Sequence, residues 1–95
     1  MDEALPGVSR GVDELPPGKV KAWVLPNVPE VVRVSNSSQA HNPAHRNGTF
    51  QMKFNDSTTW DDEELAWGES RSYETGLVEM KVRNNGRAGL TLSYE

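Results

Sequence analysis

The C-terminal half of the chain alternates apolar and polar residues: Phe50-Gln51-Met52-Lys53-Phe54, Val78-Glu79-Met80-Lys81-Val82 and Leu90-Thr91-Leu92-Ser93-Tyr94. Successive side chains on a strand point to opposite faces, so each segment offers one apolar row to a core and one polar row to water. In the N-terminal half, Val20, Ala22 and Val24 alternate up to Pro26, which ends ladder pairing, and Val31-Val32-Arg33-Val34 supplies a β-branched second strand. That register sets Trp23 and Leu25 on the face opposite Val20 and Val24, so the strand is covered on both sides or Trp23 is a contact residue.

Six or seven short strands with turn signals between them predict an all-β fold, a small antiparallel β-sandwich of immunoglobulin-like or jelly-roll topology. Thr59 with Asp62 resembles the start of a capping box, and Gly68 can end a helix. The reading therefore allows one short helical turn near 60–67, with an acidic β-turn as the alternative. At the other turn, a two-residue loop at Asn85-Gly86 would mix the two faces of a 78–82/90–94 hairpin. A three-residue loop of Asn84-Asn85-Gly86 keeps the rows aligned, with Gly86 left-handed, Met80 opposite Leu90 and Val78 opposite Leu92.

Residues 1–18 hold three prolines and three glycines among scattered charges and bury little apolar surface, which predicts a flexible tail before a domain spanning 19–95. Asp2-Glu3-Ala4-Leu5-Pro6-Gly7 is echoed by Asp13-Glu14-Leu15-Pro16-Pro17-Gly18, a likeness that biased composition produces cheaply. Acidic residues at 2, 3, 13 and 14 without a long apolar run exclude a secretory leader from this stretch, and no segment reaches transmembrane length.

Charge sharpens the picture more than composition does. The 14 acidic residues exceed the 10 basic ones, and the excess lies between 54 and 76, where Asp56, Asp61, Asp62, Glu63, Glu64, Glu69 and Glu74 face Arg71 alone. Such a surface repels phosphate backbones, which argues against a nucleic-acid partner. With no cysteine there is neither disulfide nor thiolate, so a chain of 95 residues depends on packing or association for stability.

No motif of catalytic specificity is present. There is no G-x-S-x-G elbow, and adjacent exposed acids at 61–64 lack the burial that separates the pKa values of a general acid and base. Those acids also lack the D-x-D-x-D-G grammar of a calcium loop, and His41 and His45 flank Asn42-Pro43 with no third ligand in sequence reach. The expectation is a protein that is not an enzyme, with no cofactor and no metal site. Asn36-Ser37-Ser38, Asn47-Gly48-Thr49 and Asn55-Asp56-Ser57 match the glycan acceptor pattern.

What remains is binding. The aromatic residues exceed what the alternating rows need, and an exposed tryptophan anchors an interface or stacks on a sugar ring. The leading expectation is a module that binds a protein partner or its own copies through strand edges and the 35–48 loop. The alternative is carbohydrate recognition by Trp60, Trp67 and Tyr73, with Asp61, Asp62 and Asn55 as polar partners and Trp23 as a further contact.

Overall fold

The computed structural model describes residues 10–36, 47–54 and 57–95. Eight strands follow one another: β1 (Gly11–Leu15), β2 (Val20–Trp23), β3 (Val31–Ser35), β4 (Gly48–Phe54), β5 (Asp61–Leu65), β6 (Ser70–Glu74), β7 (Met80–Arg83) and β8 (Leu90–Tyr94). They form two antiparallel four-stranded sheets, ordered β1-β8-β3-β6 and β2-β7-β4-β5. One hydrophobic cluster draws Leu15, Val32, Val34, Leu90 and Leu92 from the first sheet and Trp23, Phe50, Met52, Leu65, Met80 and Val82 from the second. The two sheets thus stack on a shared core, with the strand order of an eight-stranded jelly roll.

The period-two rows fold inward as expected: Phe50, Met52, Met80, Val82, Leu90 and Leu92 are all buried. The expected hairpin does not form. β7 pairs with β2 and β4, whereas β8 pairs with β1 and β3, so residues 84–89 carry the chain from one sheet to the other. Alternation reports which face a residue shows, and both arrangements satisfy it equally. Gly86 is needed for space rather than for a left-handed φ: a Cβ there would lie 2.5 Å from Thr49 Oγ1 and 2.9 Å from its backbone nitrogen.

Three other expectations are corrected. Residues 61–65 form β5, an edge strand paired with β4, and no helical turn occurs there. An acidic run is unusual in strands, yet charged side chains are tolerated on an edge, where they discourage pairing with other chains. Gly11–Leu15 is likewise a strand, so the sandwich extends N-terminal to residue 19; residues 1–9 lie outside the described ones. Finally, the β2 faces are reversed. Trp23 is 3% exposed in the core, Lys21 faces inward beside it, and Val20 and Val24 face out.

The two halves of the chain are related by a pseudo-twofold. Exchanging β1–β4 for β5–β8 converts the order of one sheet into that of the other. The relation is visible residue by residue at a spacing of fifty: Asp13-Glu14-Leu15-x-x-Gly18-x-x-Lys21-x-Trp23 matches Glu63-Glu64-Leu65-x-x-Gly68-x-x-Arg71-x-Tyr73. Each stretch is strand, turn, strand. Lys19 N donates to Pro16 O (3.1 Å) and Glu69 N to Ala66 O (3.0 Å), with Gly18 at φ 84° and Gly68 at φ 82°. Those values suit the third position of a type II turn, which a side chain enters only under strain.

Each half latches the other half's turn with a buried asparagine. Asn84 Nδ2 donates to Leu15 O (2.8 Å) while Asn84 O accepts from Gly18 N (2.8 Å) and Asn84 N donates to Lys19 O (3.0 Å). Asn36 repeats all three bonds with Leu65 O (3.2 Å), Gly68 N (3.0 Å) and Glu69 O (2.9 Å). Asn36 is 1% exposed, so this member of the glycan pattern serves the fold. The relation is imperfect only where β1 and β5 pair, which differs by two residues between the halves.

Candidate binding surfaces

Each open mouth of the sandwich is closed by an acid and a base at matching positions, joined by a tyrosine that comes from a different place in each half: Tyr94 of β8 in one, and Tyr73, the counterpart of Trp23, in the other. At the β1–β2 edge, Lys21 Nζ lies 3.1 Å from Asp13 Oδ2, and the Tyr94 hydroxyl donates to the same oxygen at 2.7 Å. The Tyr94 ring meets Trp23 edge-on at 5.2 Å, and the Lys21 ammonium stands 5.8 Å and 5.5 Å from the two ring centres. The Tyr94 hydrogen bond, helped by Lys21, holds the Asp13 carboxyl below its ordinary value; Asp13 in turn raises both Lys21 and Tyr94.

At the β5–β6 edge, Arg71 Nη1 lies 2.6 Å from Glu63 Oε1, which also accepts from the Tyr73 hydroxyl at 3.3 Å. Tyr73 meets Phe50 edge-on at 6.4 Å, and burial pushes its hydroxyl pKa up. Both clusters let inward-facing polar side chains cover the core rim while their charges neutralise one another. In each cluster the carboxylate, the cation and the tyrosine hydroxyl are partnered with one another at the core rim.

The edges differ in what surrounds those clusters. Val12, Val20, Val24 and Leu25 are 50–66% exposed along β1, β2 and the residues that follow. Fifty residues on, the counterparts of the three valines are Asp62, Ser70 and Glu74, all exposed. The fold therefore accommodates polar residues at these places. Charge follows the same division: between 10 and 25, Arg10, Lys19 and Lys21 oppose Asp13 and Glu14, whereas between 61 and 74 six carboxylates oppose Arg71.

The outer faces of the sheets also differ. The first carries Ser35, Ser70, Ser72, Thr91 and Ser93 around Arg33, whose Nε donates to Ser72 Oγ at 3.2 Å. The second is basic: Lys53 and Lys81 are register partners, and Arg83 donates to Gln51 Oε1 (2.6 Å from Nη2). Trp60 sits against this row, with Arg83 Cζ 4.1 Å and Lys53 Nζ 5.8 Å from its ring centre.

The residues expected to form a sugar platform are not brought together. Tyr73 belongs to the β5–β6 rim cluster and Trp23 to the core. Trp60 precedes β5 and Trp67, 60% exposed, lies in the turn after it, a separation on the order of 20 Å at strand spacing. Asp62 faces outward and accepts from Gln51 Nε2 at 2.7 Å, while Asp61 is exposed at the start of the strand. Asp61 and Asp62 are adjacent strand residues and so point to opposite faces. Asn55, His41, His45 and most of the 35–48 loop lie outside the described residues.

Sequence reading missed Val12, Val20 and Val24 as surface residues, and the one signal that could have found them is the fifty-residue repeat. No protein-family model, curated protein or solved structure matches the chain.

Proposed function

We propose that this is a non-catalytic module that self-associates, apposing the β1–β2 edge of one copy to the same edge of another. The carrying observation is the exposed Val12, Val20 and Val24, at positions where the repeated half has Asp62, Ser70 and Glu74. Edge strands present unpaired backbone donors and acceptors, and proteins usually guard them with charge. The β5–β6 edge is guarded by carboxylates; the β1–β2 edge is nearly charge-balanced and apolar. A second copy suits it because like edges meet without net repulsion, and a twofold apposition closes on itself. A small sandwich without disulfides also gains stability by burying such a surface.

Amide hydrogen exchange at low and high protein concentration tests this reading. Backbone amides of β1 and β2 not bonded to β8 or β7 are expected to exchange more slowly at high concentration, with β5 and β6 unchanged. Concentration-independent exchange, or protection confined to β5 and β6, overturns it.

A further inference from the structure

We propose that two copies join by strand addition: β2 of one pairs antiparallel with β2 of the other, Ala22 opposite Ala22, and their second sheets merge into one sheet of eight strands. This rests on the self-association proposed above and fixes the strand and register that make it.

Hydrogen-bond phase selects the strand. Asn84 N donates to Lys19 O at 3.0 Å, and β2 runs antiparallel to β7 with Val20 opposite Arg83 and Trp23 opposite Met80. Bonding alternates along such a ladder, so Lys21 and Trp23 turn their backbone groups to β7, while Val20, Ala22 and Val24 turn theirs to the open edge. All three are exposed and uncharged. β1 offers less. Val31 and Glu95 exchange both backbone bonds (3.0 and 3.1 Å), which turns Leu90, Leu92 and Tyr94 toward β1 and leaves Val12 and Glu14 as its outward residues. Glu14 brings a charge to that edge. On the opposite side of the sandwich, the counterparts of the β2 run are Ser70, Ser72 and Glu74, so a carboxylate stands there as well.

Symmetry selects the register. A twofold pair of β2 strands bonds only where outward residues face outward residues, so within the run 20–24 its centre falls on Lys21, Ala22 or Trp23 if most of the run is to pair. Centred on Lys21, the pair sets two like charges directly opposite each other. Centred on Trp23, it sets Val20 against Pro26 of the second copy, which has no N–H to donate. Centred on Ala22, it gives every outward residue a partner: Ala22 faces Ala22, and each Val20 faces Val24 of the other copy. Cross-strand pairs of β-branched residues are favourable, and Val20 and Val24 are 50% and 57% exposed before pairing. Lys21 then stands opposite Trp23 of the second copy, a base beside a ring, as it already lies 5.8 Å from the ring of its own Trp23.

The chain has no cysteine, so a single introduced cysteine reports contact between copies alone. In the Ala22 register two residues 22 are about 5.5 Å apart at Cα, within disulfide reach, whereas two residues 20 are about 13 Å apart along the strands, beyond it. Under mild oxidation Ala22→Cys is expected to become a disulfide-linked dimer on a non-reducing gel. Val20→Cys and Val24→Cys are each expected to stay single, and the two substitutions in one chain to link. Thermal unfolding of the reduced variants checks that each remains folded. Ala22→Cys that fails to link, while the reduced variant still dimerises by sedimentation, overturns the register and leaves self-association standing. Val20→Cys alone linking as fast as Ala22→Cys overturns the register too, and a native chain that is monomeric at every concentration overturns both proposals.

Discussion

The two halves of this chain solve the same structural problem with different surfaces. Asp13, Lys21 and Trp23 repeat as Glu63, Arg71 and Tyr73, and Asn84 holds one turn as Asn36 holds the other. What repeats is what the fold requires: the rim ion pair, the aromatic beneath it, the turn glycine and the latch. What fails to repeat is free to serve something else. By that criterion Val12, Val20 and Val24 stand apart, since the other half builds the same strands with Asp62, Ser70 and Glu74. Each half is thus a control for the other.

The shared framework breaks most severely at its largest buried side chain. Trp23→Ala empties a site that is 3% exposed and is expected to cost about 4 kcal/mol in denaturant unfolding. Tyr73→Ala, at the half-buried counterpart, is expected to cost less; equal losses would mean that the two rims are packed alike. Removing a latch comes next. Asn84→Ala strips donors from Leu15 O and Ala88 O and is expected to cost about 2 kcal/mol. Asn36→Ala is expected to match it, and a neutral result at either asparagine would break the equivalence of the latches.

Smaller effects sharpen the comparison. Gly18→Ala and Gly68→Ala meet no neighbouring atom, so only the left-handed backbone opposes them, at about 1 kcal/mol each by thermal unfolding. The smallest effect is in acid. Asp13 titrates below its ordinary 3.8 in the folded protein, so its contribution is present above that value and fades as pH falls through the lowered one. Its carboxylate is 40% exposed, which keeps the loss small. Asp13→Asn is expected to flatten the stability profile below about pH 4, and an unchanged acid limb would separate Asp13 from the β1–β2 rim.

The inward rows of β4, β7 and β8 were legible because a period of two has one reading when half of a strand is buried. Strand partners were not. Met80 and Leu90 satisfy alternation whether their strands form a hairpin or lie in different sheets, and the pairing of β7 with β2 and β4 and of β8 with β1 and β3 leaves no trace in that pattern. β2 misled because its apolar row, Val20 and Val24, faces water, while Lys21 enters the rim to reach Asp13. β5 was hidden by its charges, which suit an edge and contradict strand propensity. The candidate surface was concealed for a related reason: an exposed valine carries no mark in sequence until a repeat shows what else could stand there.

Substituting the polar counterparts for the three valines provides the most direct measurement. Val12→Asp, Val20→Ser and Val24→Glu together give the β1–β2 edge residues that the β5–β6 edge already carries on the same fold. Mass is then followed by sedimentation equilibrium across concentration, with thermal unfolding checked in parallel. The native chain is expected to rise from 10.6 kDa toward twice that value, and the folded triple variant to remain at 10.6 kDa. A native chain that stays at 10.6 kDa throughout, or a folded variant that associates as the native chain does, would contradict an interface at this edge.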